Sequence, residues 1–72
     1  MPTVHIIKTK DSEEIQVVVK EFREQKYVDI RVHFRVDGEQ TMVPSKKGIT
    51  FRAQYIDEVM EALKKAQETV SA

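Results

Sequence analysis

Cysteine is absent from this 72-residue chain. Disulfides are therefore excluded, and nothing argues for an oxidising compartment. A chain so short buries a small fraction of its surface, and the usual supports are disulfides, a metal or self-association. The two histidines, His5 and His33, lie far apart and have no cysteine companions, so no structural zinc is expected. No other metal and no cofactor is expected either. Self-association remains, and a homodimer is the expectation. No apolar run approaches the roughly 20 residues of a membrane span. The segment MPTVHIIKTK lacks a charged start followed by a long apolar stretch, so it does not read as a signal peptide. The chain is expected to stay inside the cell, without a membrane partner. Catalytic signatures are missing too. There is no serine–histidine–acid constellation, no glycine-rich phosphate loop and no HExxH. Asp29 has Glu21 and Glu24 nearby in sequence, but nothing else of a catalytic site accompanies them. The chain reads as a non-enzyme with no catalytic residues.

Net charge is also zero, with 12 basic and 12 acidic residues. The distribution is uneven. Lys20 to Arg52 carries eight basic and five acidic residues, a balance of +3. The residues before it balance at −1 and those after it at −2. A basic middle with an acidic end suits an anionic ligand better than the total suggests, because local field governs such binding. An ordinary solvated surface is the plain alternative.

What is present is period two. Residues 3–8 (TVHIIK) and 14–22 (EIQVVVKEF) read as strands, with Asp11-Ser12 as a turn between them. Arg23 to Lys26 read as a tight connection. Residues 27–36 alternate, with Val28, Ile30, Val32 and Phe34 apolar and Asp29, Arg31 and His33 polar. Asp37-Gly38 predicts a hairpin turn of type I′. A fourth strand starts at residues 40–43. Pro44 removes a ladder donor, which predicts a bulge or loop over Val43–Lys47 before Ile49-Thr50-Phe51 resumes the extended chain. From Ala53 to about residue 69 the pattern becomes helical, without a clear terminal cap. Tyr55, Val59, Met60 and Leu63 form an apolar stripe expected to be shared between the sheet and a partner helix. Strands followed by one helix give an α+β class with a meander sheet, in one domain spanning residues 1–72.

Sidedness predicts a register for the second and third strands. With the connection centred between Glu24 and Gln25, Val19 faces Ile30, Val17 faces Val32 and Ile15 faces Phe34 on a core side. Phe22 then faces Tyr27, Lys20 faces Asp29, Val18 faces Arg31 and Gln16 faces His33 on the other side. That second side carries Phe22 and Tyr27 beside Lys20 and Arg31. Unpaired bases stack on aromatic rings while cations follow the phosphates. The competing reading of Phe22 and Tyr27 is a cross-strand pair that stabilises a hairpin end. Pro44-Ser45-Lys46-Lys47-Gly48 makes a second cationic candidate, or an ordinary solvated turn. His5 and His33 read as surface residues.

The span VVKEFREQKYVDIRVHF…DGEQTMVPSKKGITF, followed by an amphipathic helix, resembles the Positive Cofactor Four family of transcriptional coactivators. The resemblance lies in an aromatic-basic pair, Phe22-Arg23, seven residues ahead of the acid of the Val-Asp-Ile-Arg strand. It continues in an aromatic three residues after Arg31, an acidic-Gly turn, and Pro-x-Lys-Lys-Gly-Ile-Thr, covering roughly residues 15–65. It implies a curved four-stranded antiparallel sheet and a C-terminal helix, paired into a homodimer that binds single-stranded or melted DNA with little sequence preference. By position it makes Phe22 and Phe34 base-stacking aromatics. Lys20, Arg23, Arg31, Lys46 and Lys47 become contacts to phosphates or bases, with Lys26 substituting for a lysine that Gln25 replaces. Phe34 stands where the family more usually has Trp, Glu24 replaces a turn glycine, and Arg52-Ala53 stands where a better helix start is usual. Residues 1–72 contain no counterpart of the serine-rich extension of eukaryotic members, so regulation through one is not expected. Alternation and resemblance disagree about Phe34, core by the first and ligand-facing by the second.

The expected function is sequence-independent binding of single-stranded DNA by a homodimer, in transcription regulation or in DNA replication and recombination. The alternatives are a module that docks on a polymerase or replication factor, and a single-stranded RNA binder.

Overall fold

The computed structural model describes residues 2–72. Four antiparallel strands follow in chain order: β1 (Thr3–Lys10), β2 (Glu13–Phe22), β3 (Gln25–Arg35) and β4 (Met42–Arg52). They lie in the order β1-β2-β3-β4, a meander. A single 3₁₀ turn (Ala53–Tyr55) leads into helix α1 (Ile56–Ser71). The α+β class and the strand-strand-strand-strand-helix order are those expected.

The turn between β2 and β3 is tighter than predicted. Arg23 and Glu24 are its two central residues, at φ 52° and 65°. Two successive positive φ values characterise a type I′ turn, whose twist matches that of the flanking strands. The centre therefore falls between Arg23 and Glu24, one residue earlier than predicted. The register moves with it: Val19 faces Val28, Val17 faces Ile30 and Ile15 faces Val32. Phe22 faces Gln25, Lys20 faces Tyr27, Val18 faces Asp29 and Gln16 faces Arg31. Each partner moves by two positions, so every residue keeps its predicted face. The Asp37-Gly38 turn is not of type I′. Only Gly38 has positive φ, at 85°, and the turn closes through Glu39 N–H donating to the Val36 carbonyl at 3.0 Å. Positive φ at the second central residue alone belongs to the type II pattern.

The bulge predicted around Pro44 is present. Arg31 pairs with Gly48, but His33 pairs with Pro44, so four steps on β4 oppose two on β3. β4 is an edge strand, where a missing N–H is tolerated. Two further irregularities lie on β1, between Thr3 and His5 and between Lys8 and Lys10. Such bulges bend and twist a sheet.

α1 lies over the apolar face without closing it. Val4, Val17, Val19, Val28, Ile30 and Phe51 of the sheet and Ile56, Val59, Met60 and Leu63 of α1 line an apolar cleft of about 280 Å³. No residue of α1 is buried. Met60 and Leu63 remain 52% and 61% exposed, more than a finished core allows. The most buried residue of the described chain is polar: Asp29, at 2% exposure.

Candidate nucleic-acid interface

The face opposite α1 holds a broad concavity of about 860 Å³. Lys20 of β2, Arg31 and Phe34 of β3 and Lys46 of β4 line it, together with Thr3, Val18, Asp29, His33, Pro44 and Ser45. Four of the predicted site residues thus converge from three strands.

Asp29 organises this floor. Arg31 donates to its carboxylate from Nε at 3.3 Å and from the terminal NH2 at 3.0 Å. Thr50 Oγ1 donates to the same carboxylate, and Lys20 Nζ lies 3.9 Å from it. Burial pushes the Asp29 carboxyl up, but the hydrogen bonds from Arg31 and Thr50 and the charges of Lys20 and Arg31 outweigh it and hold the group below its ordinary value. The third guanidinium nitrogen of Arg31 donates to the Ser45 carbonyl at 2.9 Å. Ser45 Oγ in turn donates to the Val32 carbonyl and accepts from Lys47 N–H. Arg31 is thereby fixed to two strands at once, with 21% of its side chain exposed to the concavity. Opposite Arg31, a Cβ on Gly48 would stand 2.7 Å from the Ile30 carbonyl and 2.8 Å from Arg31 Cα. Only glycine lets β4 pass this close to the arginine.

His33 is not the surface residue expected. It is 9% exposed and sits opposite Glu14, which is 7% exposed. Its Nδ1 lies 3.2 Å from the Arg31 carbonyl, an acceptor, so the proton belongs on Nδ1. Gln16 donates to Glu14 at 2.7 Å, and Lys8 approaches it at 3.4 Å. The Gln16 hydrogen bond outweighs burial, and with help from Lys8 and the charge of His33 it keeps the Glu14 carboxyl below its ordinary value. His5, by contrast, is exposed.

Phe34 resolves against simple alternation. Its partners Glu13 and Val43 place it at the strand end on the apolar side of the ladder, yet the residue is 40% exposed and lines the polar concavity. A ladder irregularity lies beside it, between Arg31 and His33, and bulges of this kind increase the local twist.

The remaining predicted residues lie outside the concavity. Phe22 is 62% exposed at the β2–β3 turn, with the Arg23 guanidinium 5.2 Å from its ring centroid. Lys26 lines a smaller cleft with Pro2, Val19, Lys20 and Glu21. Lys47 follows Lys46 on β4, and its backbone is tied to Ser45. Sequence reasoning missed Thr3, Thr50 and the anchoring roles of Asp29 and Ser45. The acid inside the Asp-Ile-Arg run was a visible signal, since a lone carboxylate two residues from an arginine shares its face.

The family model described as "Transcriptional Coactivator p15 (PC4)" matches residues 9–66, most of the chain. The chain belongs to the PC4 family. The fold agrees. A PC4 homologue from Burkholderia pseudomallei K96243, BPSL1147, superimposes with a TM-score of 0.83 in its tetragonal crystal form. It is 26% identical, with 92% of this chain and 96% of that one covered. The bacteriophage T5 homologue of the eukaryotic coactivator PC4 has the same fold, at a TM-score of 0.60 and 23% identity over 94% of this chain and 93% of that one. No protein of curated function matches the sequence. PC4 membership covers the span on which the motif order rests. Among the described residues, no helix is long and apolar enough to cross a membrane, and no cluster of three or more histidine, cysteine or acidic residues is placed to hold a metal ion.

Proposed function

We propose that this PC4-family chain binds single-stranded DNA without sequence preference, as a homodimer. The observation that carries the reading is the concavity in which Lys20, Arg31, Lys46 and Phe34 converge on a floor anchored by Asp29. Phosphates meet the three cations, and a base stacks on Phe34. Phe22, with Arg23 over its ring, offers a second platform at the hairpin end. Lys26 and Lys47 extend the cationic border on either side. Thr3, which lines the same concavity, adds a hydroxyl contact that reads no base in particular.

The dimer is supported by the apolar face. A single chain leaves Met60, Leu63 and Tyr55 about half exposed beside an open apolar cleft. A second copy that lays its helix there buries Val59, Met60 and Leu63, with Tyr55 at the edge. Each fully buried side chain of this kind contributes roughly 1.5–3 kcal/mol. Transcription regulation fits the family, and DNA replication or recombination fits the phage T5 homologue, which is implicated in recombination-dependent DNA replication.

Fluorescence anisotropy of labelled oligo-dT, measured against salt, tests the reading. Binding is expected to weaken with a log–log slope of about −0.7 for each phosphate contacted. Absence of binding at low salt by a folded protein would falsify it. The same titration with matched RNA and duplex competitors separates DNA from RNA binding. If Phe22→Ala and Arg31→Gln leave oligonucleotide binding unchanged, a protein-docking module is the better description.

A further inference from the structure

The sheet register places an aromatic outside the concavity between two cations. Tyr27 of β3 faces Lys20 of β2 on one side and Arg52 of β4 on the other. Directly opposed residues share a face, so Lys20, Tyr27 and Arg52 form one row across the polar side of the sheet. The next row is Val18, Asp29 and Thr50, which belongs to the concavity floor. Two residues of strand separate the rows, about 6.7 Å. Lys20 joins them: it pairs with Tyr27 in the first row, lines the concavity, and its Nζ lies 3.9 Å from Asp29 in the second. Arg52 is exposed and enters no ion pair among the described residues. Tyr27 is half-buried, so part of its surface remains open to a ligand.

We propose that Tyr27 and Arg52 form a further nucleotide subsite, with Tyr27 stacking an unpaired base and Arg52 holding a phosphate as the strand leaves the concavity over Lys20. The inference rests on the single-strand reading above and extends the track from β2–β3 onto the end of β4. It gives the bound strand a route across the sheet, from the Phe34 end to the start of the helix.

Tyrosine emission provides a direct readout, because the chain has two tyrosines and no tryptophan. Saturating oligo-dT is expected to quench the wild-type emission. In Tyr27→Phe most of that quench disappears, while affinity by anisotropy stays within about twofold, since phenylalanine still stacks. Tyr27→Ala weakens binding about tenfold. Arg52→Gln makes the salt slope shallower by about 0.7. An equal quench in wild type and Tyr27→Phe overturns the stacking role. So does Tyr27→Ala binding as tightly as wild type with its circular dichroism unchanged. An unaltered salt slope in Arg52→Gln overturns the phosphate contact. If the wild-type chain binds no oligo-dT, the single-strand reading fails first and the subsite with it, a result distinct from binding that bypasses Tyr27.

Discussion

Lys46→Gln tests one proposed phosphate contact. Lys46 lines the concavity from an exposed position on the β4 bulge and enters no ion pair among the described residues. Its neighbours differ, since Arg31 and Lys20 both lean on Asp29 and their removal would disturb the floor as well as the charge. Glutamine keeps most of the length and removes only the charge. A lysine on a single-strand phosphate releases counterions, so one contact adds about 0.7 to the salt exponent. Relative to a reference near 1 M salt, that exponent makes the wild type about eightfold tighter than Lys46→Gln at about 0.05 M and about threefold tighter at about 0.2 M. Oligo-dT anisotropy across that range reads both the ratio and the slope. Lys64→Gln, which removes a charge from exposed α1, serves as the control and leaves the slope unchanged. A wild-type-to-variant ratio that stays constant with salt refutes the reasoning, because a contact that releases no counterion is not a phosphate contact.

Four further outcomes are expected. Phe22→Ala weakens single-strand binding by about 1–3 kcal/mol with little change in melting temperature, because the ring is 62% exposed; equal loss for duplex speaks against stacking. Leu63→Asp places a charge where a partner helix is proposed to seat, and light scattering at micromolar concentration is expected to fall to the monomer mass; an unchanged dimer places the interface elsewhere. Asp29 carries a depressed folded-state pKa, so the stability it contributes is complete above its ordinary value of 3.8 and is lost as pH falls through the depressed folded value. Urea midpoints followed from neutral pH to below that value test this, and Asp29→Asn is expected to flatten the dependence in that acid window. Glu24 sits at φ 65°, a conformation costly for a side chain, so Glu24→Gly is expected to stabilise the hairpin by up to about 1 kcal/mol after the added unfolded-state entropy is counted; a lower melting temperature would contradict it.

Much of the architecture was legible. The alternation of Val28, Ile30 and Val32 against Asp29, Arg31 and His33 assigned both faces of β3 correctly, because side-chain direction follows the chain locally. Pro44 marked the bulge for an equally local reason. The register was off by two because a period of two leaves such a shift invisible to sidedness. The turn geometry at Arg23 and Glu24 settled it, and neither residue advertises positive φ. The burial of His33 was unreadable, since its cover comes from the opposing strand and the β4 bulge. Phe34 was ambiguous for the same cause: it stands beside a ladder irregularity, where bulges increase the local twist.

The amino-acid sequence alone determined the two-faced strands, the amphipathic helix, the basic middle segment and the motif order of a PC4 chain. Only the tertiary structure decided which cations meet. Asp29 reaches Thr50 across 21 positions of sequence, and Arg31 reaches the Ser45 carbonyl across 14. Those bonds depend on register, on the close pass at Gly48 and on the two extra residues of the β4 bulge. Alternation is a property of one strand, whereas convergence of Lys20, Arg31 and Lys46 is a property of three strands held in one alignment.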